Sequence, residues 1–121
     1  MNVLVWIGVA VLGGAGSLLR FRLDAAVQSR TAGEFPVGTL AVNLLGSFCL
    51  GLLTGLSVSG DTLLLAGTAL LGSFTTFSTW MLETERAAED GETRIAIANL
   101  TVPLGAGLAA AVAGWAIGAL L

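Results

Sequence analysis

Nine consecutive residues, Gly72-Ser73-Phe74-Thr75-Thr76-Phe77-Ser78-Thr79-Trp80, hold one glycine, five hydroxyl side chains and three aromatics inside an otherwise apolar stretch. A helix facing lipid has no use for that composition. Ser and Thr side chains offer backbone groups hydrogen bonds that compete with the helical ladder. Irregular backbone at membrane depth survives only where it is buried in protein or lines a wet cavity. The stretch reads as the working centre of a small membrane protein that passes or holds something polar. A milder reading keeps the helix nearly continuous, with the hydroxyls bonded back to carbonyls one turn earlier.

A second polar set lies upstream. Thr39, Asn43 and Ser47 are spaced by four, which places them on one face of a helix. Such residues either tie helices together or line a polar path. Arg20 lies one turn past Gly16. It reads either as an interfacial anchor or as a cation at the mouth of a vestibule. The combined inventory donates more than it accepts. Asn43 offers amide N–H groups, and Thr39, Ser47, Ser78 and Thr79 offer hydroxyls. Phe77 and Trp80 offer ring edges of partial positive charge. Glu83 stands near the end of its segment, and no acidic side chain is expected mid-segment. Donors of this kind suit a small, strongly hydrated anion, because each replaces part of a lost water shell. Where the helix unwinds near 72–76, freed carbonyls suit a hard cation such as Na⁺.

Four apolar runs must position these groups. They are expected at about 2–27, 36–57, 62–84 and 94–120, each long enough to cross about 30 Å of hydrocarbon. They make an all-α membrane domain covering 1–121 and leave no room for a soluble one. The composition agrees: 55% hydrophobic, 11% charged, 17 Gly and no His. Residues 2–19 lack a basic leader and a small-residue cleavage pattern, so they read as a retained helix. The lone Cys49 reads as packing. With no His and one Cys a transition-metal site is not expected, and a net charge of −3 gives nucleic acid no surface to bind. All five cations are Arg: Arg20, Arg22 and Arg30 after the first segment, Arg86 and Arg94 around the third loop. The positive-inside rule then places loops one and three in the cytoplasm and both termini outside. Four short helices cannot enclose a polar path alone. A stripe left facing lipid would cost several kcal/mol for each unsatisfied group, on the order of 2–7. An oligomer is therefore expected.

At these residues the chain resembles the Fluc (CrcB-type) fluoride channel family. The matching pieces are Gly13-Gly14-x-Gly16-x-x-x-Arg20, Pro36-x-Gly38-Thr39-Leu40-x-x-Asn43-x-x-Gly46-x-Phe48, and Gly72-x-x-Thr75-Thr76-Phe77-Ser78-Thr79. The resemblance implies a dimer of antiparallel four-helix subunits in the cell's inner membrane, with the third helix broken. It implies two narrow pores that release cytoplasmic fluoride passively. It also implies a structural Na⁺ at the dimer centre, held by the carbonyls of Gly72 and Thr75. Asn43 would be the pore amide, Phe77 and Trp80 the pore aromatics, Ser78 and Thr79 part of the polar track, and Glu83 its end. Two positions depart from the pattern. Trp80 stands where the family has Phe, and Pro103 stands where the register set by Asn99 calls for a small polar residue. The partner is expected to be a second copy or an oppositely oriented paralogue.

Other classes fit less well. A small multidrug exporter would need a carboxylate buried in the first segment, and residues 2–19 contain none. An enzyme would need a nucleophile and base, for which no His or embedded acid is present. A non-transporting assembly subunit would use the same polar stripes only as glue.

Overall fold

The computed structural model describes residues 2–121, and every described element is helical. Helix α1 spans Val3–Ser29 and α2 spans Val37–Gly55. Helix α3 covers residues 60–74: a turn at Gly60–Thr62, a π-wound stretch at Leu63–Leu71 and a last turn at Gly72–Phe74. The chain then leaves helical geometry and resumes as α4, Ser78–Glu89. Helix α5 spans Thr93–Leu120. Four stretches are long and apolar enough to cross a membrane: Val3–Ser29, Val37–Gly55, Gly60–Glu89 and Thr93–Leu120.

Two boundaries differ from expectation. Helix α1 continues two residues further, to Ser29; its Asp24 sits against Gly38 of α2. Helix α4 runs on to Glu89, so the charged stretch 85–89 is helical rather than loop. Glu, Arg and Ala are good helix formers, and a helix leaving hydrocarbon need not stop at the interface. The turn that follows is short. Gly91 takes φ +78°, a left-handed conformation that glycine adopts without penalty. It closes α4 with Gly91 N–H on Ala88 O at 3.2 Å and Glu92 N–H on Ala87 O at 2.9 Å.

Large side chains do not make the core. The buried apolar residues are Val5, Val42, Ala69, Phe74 and Ala96, while Val3, Leu4, Trp6, Leu104, Leu108 and Trp115 lie on the outside. That inversion is what lipid as solvent permits, because burying Leu away from lipid tails gains little. Close backbone contact holds the helices instead. A Cβ at Gly51 or Gly55 would fall 2.1 Å from Ala111 O or 2.2 Å from Trp115 O. From the other side, one at Gly114 would fall 2.1 Å from Phe48 O, and one at Gly118 would fall 2.6 Å from Leu52 O. Helices α2 and α5 therefore meet along a glycine seam, and the spacing of Gly114 and Gly118 is the small-xxx-small pattern. Helix α1 packs on α3 in the same way. A Cβ at Gly16 would fall 2.1 Å from Ser73 Oγ and 2.3 Å from Leu70 O.

Candidate site at the break in the third membrane segment

The break begins at Thr75, whose backbone is extended (φ −81°, ψ 161°). Three side chains hold it open. Asn43 reaches across from α2 and makes a reciprocal pair with Thr76. Its Nδ2 donates to Thr76 O at 2.9 Å, and Thr76 N–H donates to its Oδ1 at 2.8 Å. Thr76 Oγ1 accepts from Thr79 N–H at 3.2 Å, which starts α4 as an N-cap hydroxyl would. Arg20 Nε donates to Ser73 O at 3.2 Å from α1. In a continuous helix the Thr76 and Thr79 N–H groups would serve the carbonyls of Gly72 and Thr75. Both N–H groups are diverted, to Asn43 Oδ1 and Thr76 Oγ1.

The milder sequence reading is met only in part: the helix is not continuous, yet two hydroxyls bond back to earlier carbonyls. Ser73 Oγ donates to Ala69 O at 2.7 Å and Leu70 O at 3.0 Å, and Thr75 Oγ1 donates to Leu71 O at 3.1 Å. These back-bonds satisfy the hydroxyls without closing the break. Gly46 of α2 lets the segment come near: a Cβ there would fall 2.2 Å from Thr75 Cγ2.

One face of the break lies in an open-sided groove of about 820 Å³. Asn43, Ser47, Gly72, Thr75, Thr76, Phe77 and Trp80 all line it. Phe77 is 69% exposed and meets Trp80 edge to face, with ring centroids 5.7 Å apart and an interplanar angle of 87°. Asn43 keeps a second N–H beyond the one given to Thr76. Gly72 and Ser78 are exposed, and Thr79 is half-buried.

The polar stripe on α2 divides its work. Ser47 faces the groove and Asn43 serves the break. Thr39 is buried and donates to Glu83 Oε1 at 2.5 Å. Glu83 in turn lines a second cavity of about 580 Å³ with Gln28, Glu34, Arg86, Asp90 and Glu92. This cavity joins loop one to the α4–α5 turn, so the Arg-bearing loops share one end of the bundle. Outside the spans, Glu92 holds its proton more tightly than an ordinary glutamate. A hydrogen bond with Glu34 is the main cause, followed by the nearby Glu34 charge.

Three groups at the site were not singled out from the sequence. Thr76 supplies both the backbone pair for Asn43 and the cap for α4. Asn99 and Thr84 bond to the backbone and hydroxyl around Trp80. The Asn99 contact had a signal, since a proline four residues on deprives its carbonyl of a helical donor.

Comparison with known proteins agrees with this architecture. The family described as CrcB-like protein, Camphor Resistance (CrcB), matches residues 7–115. A protein of Mycolicibacterium paratuberculosis named Fluoride-specific ion channel FluC 2 is 54% identical over 113 residues, covering 93% of each chain. A Mycobacterium bovis protein of the same name is 52% identical over 114 residues, covering 94% of this chain and 90% of its own. An archaeal FluC 2 of Haloarcula marismortui is 45% identical over 105 residues, covering 87% and 86%. A four-span bundle with a broken third segment and a match of this extent and identity lead to one assignment: the chain belongs to the CrcB (Fluc) family of fluoride ion channels, which are not enzymes.

Proposed function

We propose that this chain is the subunit of a fluoride-selective channel that lets cytoplasmic F⁻ leave the cell passively across the inner membrane. The observation that carries the reading is the groove at the break. It gathers the Asn43 amide, the Ser47 hydroxyl and the Phe77 and Trp80 rings on one surface. The relatives' shared name supplies the ion. The surface donates and presents ring edges, and it carries no carboxylate of its own.

The groove is open along one side, so a single chain forms only part of a passage. Lipid tails against Asn43 and Ser47 would leave polar groups facing hydrocarbon. A second subunit closes the side. In this proposal it runs antiparallel, as a second copy or as an oppositely oriented paralogue. Numbered pairs of names, FluC 1 and FluC 2, among the relatives are in keeping with the paralogue form. Arg20 anchors the break through Ser73 O, and in this reading the bonded pair Thr39 and Glu83 lies toward the cytoplasmic end. Ser78 and Thr79 open α4 beside Phe77.

The residues at the break also fit a structural Na⁺. The carbonyls of Gly72 and Thr75 have lost the N–H groups that a continuous helix would give them, and both residues line the groove. Oxygen-only donors are what a hard cation takes. When bound there, Na⁺ would neutralise carbonyl dipoles at the subunit contact. The chain's own share is to keep the helical N–H groups off these two carbonyls, which Asn43 and Thr76 do by taking the Thr76 and Thr79 N–H groups.

The test is efflux from sealed liposomes read with a fluoride-selective electrode, against chloride as control. The purified chain passes fluoride and retains chloride, and Phe77→Ile slows fluoride sharply. Vesicles that stay fluoride-tight with the wild-type chain alone, and also with each paralogue of the same cell, would falsify the reading.

A further inference from the structure

The two places where the chain leaves the family pattern, Trp80 and Pro103, meet in the fold. Pro103 lies inside α5 and has no N–H for the carbonyl four residues earlier. That carbonyl belongs to Asn99, which is 1% exposed. No water reaches it, and a buried acceptor without a donor is costly. The indole Nε1–H of Trp80 supplies the donor by bonding Asn99 O across the contact between α4 and α5. The same asparagine returns the contact. Its Nδ2 donates to Trp80 O at 3.3 Å and to Thr84 Oγ1 at 2.9 Å, and Thr84 Oγ1 donates to Trp80 O at 2.9 Å.

We propose that Pro103, Asn99 and Trp80 form one positioning device for the groove. The proline frees a carbonyl, the indole caps it, and the ring is thereby fixed edge to face with Phe77. The geometry stands without any function, but its consequence for fluoride rests on the channel reading above. Two things follow. Trp80 presents only its ring to the groove, because its N–H is committed to protein, so the added donor is not an anion ligand. The departure at 80 is also tied to the departure at 103: with proline there, phenylalanine at position 80 would leave Asn99 O bare.

A double-mutant cycle of Trp80→Phe and Pro103→Ala in the full chain tests the device. Unfolding in SDS, followed by circular dichroism, reads the folded-to-unfolded ratio. Trp80→Phe alone lowers that ratio about tenfold, the loss expected for one orphaned buried acceptor. In the Pro103→Ala background the loss is much smaller, because the restored N–H at position 103 serves Asn99 O. Equal losses in both backgrounds overturn the proposal. With ¹⁵N-labelled tryptophan, the Trp80 indole signal is identified by its disappearance in Trp80→Phe. It keeps its position as NaF replaces NaCl; a fluoride-dependent shift overturns the claim that this N–H is reserved. Fluoride efflux falls in Trp80→Phe and is regained in part in the double variant, while failure to regain any overturns the positioning role. If vesicles pass no fluoride with the wild-type chain alone or with any paralogue of the same cell, the channel reading fails and the unfolding cycle still decides the device.

Discussion

Replacing Asn43 by leucine separates two roles that the amide could hold. Leucine keeps the branched shape, with a somewhat larger volume, and removes both hydrogen bonds to Thr76, at 2.9 and 2.8 Å. The Thr76 N–H and C=O are then left without partners in a half-buried place. An orphaned buried group costs about 1–3 kcal/mol. Two of them, discounted for partial exposure, put the loss at about 2–4 kcal/mol. A loss of about 2–4 kcal/mol is a large share of a typical stability of ~5–15 kcal/mol. The assay is SDS-titrated unfolding of the purified chain, run beside fluoride efflux. The expected outcome is a marked shift of the unfolding midpoint together with lost efflux. Asn43→Asp discriminates further. It keeps an acceptor for Thr76 N–H but sets a carboxylate against Thr76 O, so it too shifts the midpoint. If Asn43→Leu abolishes efflux and leaves the midpoint where it was, the amide serves the ion alone and its structural role here is wrong.

Two further outcomes follow from close approach and from charge. Gly16→Ala places a methyl 2.3 Å from Leu70 O, a backbone atom that cannot turn aside. Overpacking of this kind costs about 1–3 kcal/mol, so the variant unfolds at lower SDS, while Gly14→Ala, whose Cβ meets nothing within 4 Å, leaves the midpoint alone. Glu92 holds its proton above the ordinary range because of its hydrogen bond with Glu34. A raised carboxyl contributes stability that is fully present below its unfolded value and is lost as pH rises through its folded value. The contribution of Glu92 to the thermal midpoint should therefore fall as pH rises from the ordinary glutamate range upward, and Glu92→Gln should flatten that stretch of the profile. An unchanged slope in Glu92→Gln would remove the carboxyl pair as its source.

Much of the architecture was legible because lipid makes the rules strict. Runs of apolar residues long enough to span give the four crossings directly, and Pro36 marks the start of the second. The break was legible for the same reason, since Gly72 to Thr79 holds groups that no lipid-facing helix can satisfy. What sequence spacing could not provide was partnership. Thr39, Asn43 and Ser47 share a face of α2, as their interval requires, yet one bonds Glu83, one bonds Thr76 and one faces the groove. Period says which side a residue is on and nothing about what stands opposite. Arg20 shows the same gap. Its position in the sequence suits an anchor or a vestibule, and its Nε bonds a backbone carbonyl of the break. The charged run after Thr84 differs in the other direction: its polarity suggests loop, while helix propensity carries the segment on to Glu89.

In the channel reading proposed above, the polar groups at the break do two jobs that pull against each other. Backbone opened at membrane depth must be satisfied, which argues for using every donor on protein. A passage for an anion needs donors left over. The chain resolves this by spending side chains from neighbouring helices on the backbone: Asn43 from α2, Arg20 from α1 and the indole of Trp80 toward α5. Those bonds fix where the groove lies without closing it. The face they leave is made of the second Asn43 N–H, the Ser47 hydroxyl and two ring edges, each a weak donor. A weak, spread set of donors lets an ion enter without holding it, which conduction requires. Arg20 is likewise committed to protein: its Nε bonds Ser73 O, and it is not among the residues that line the groove.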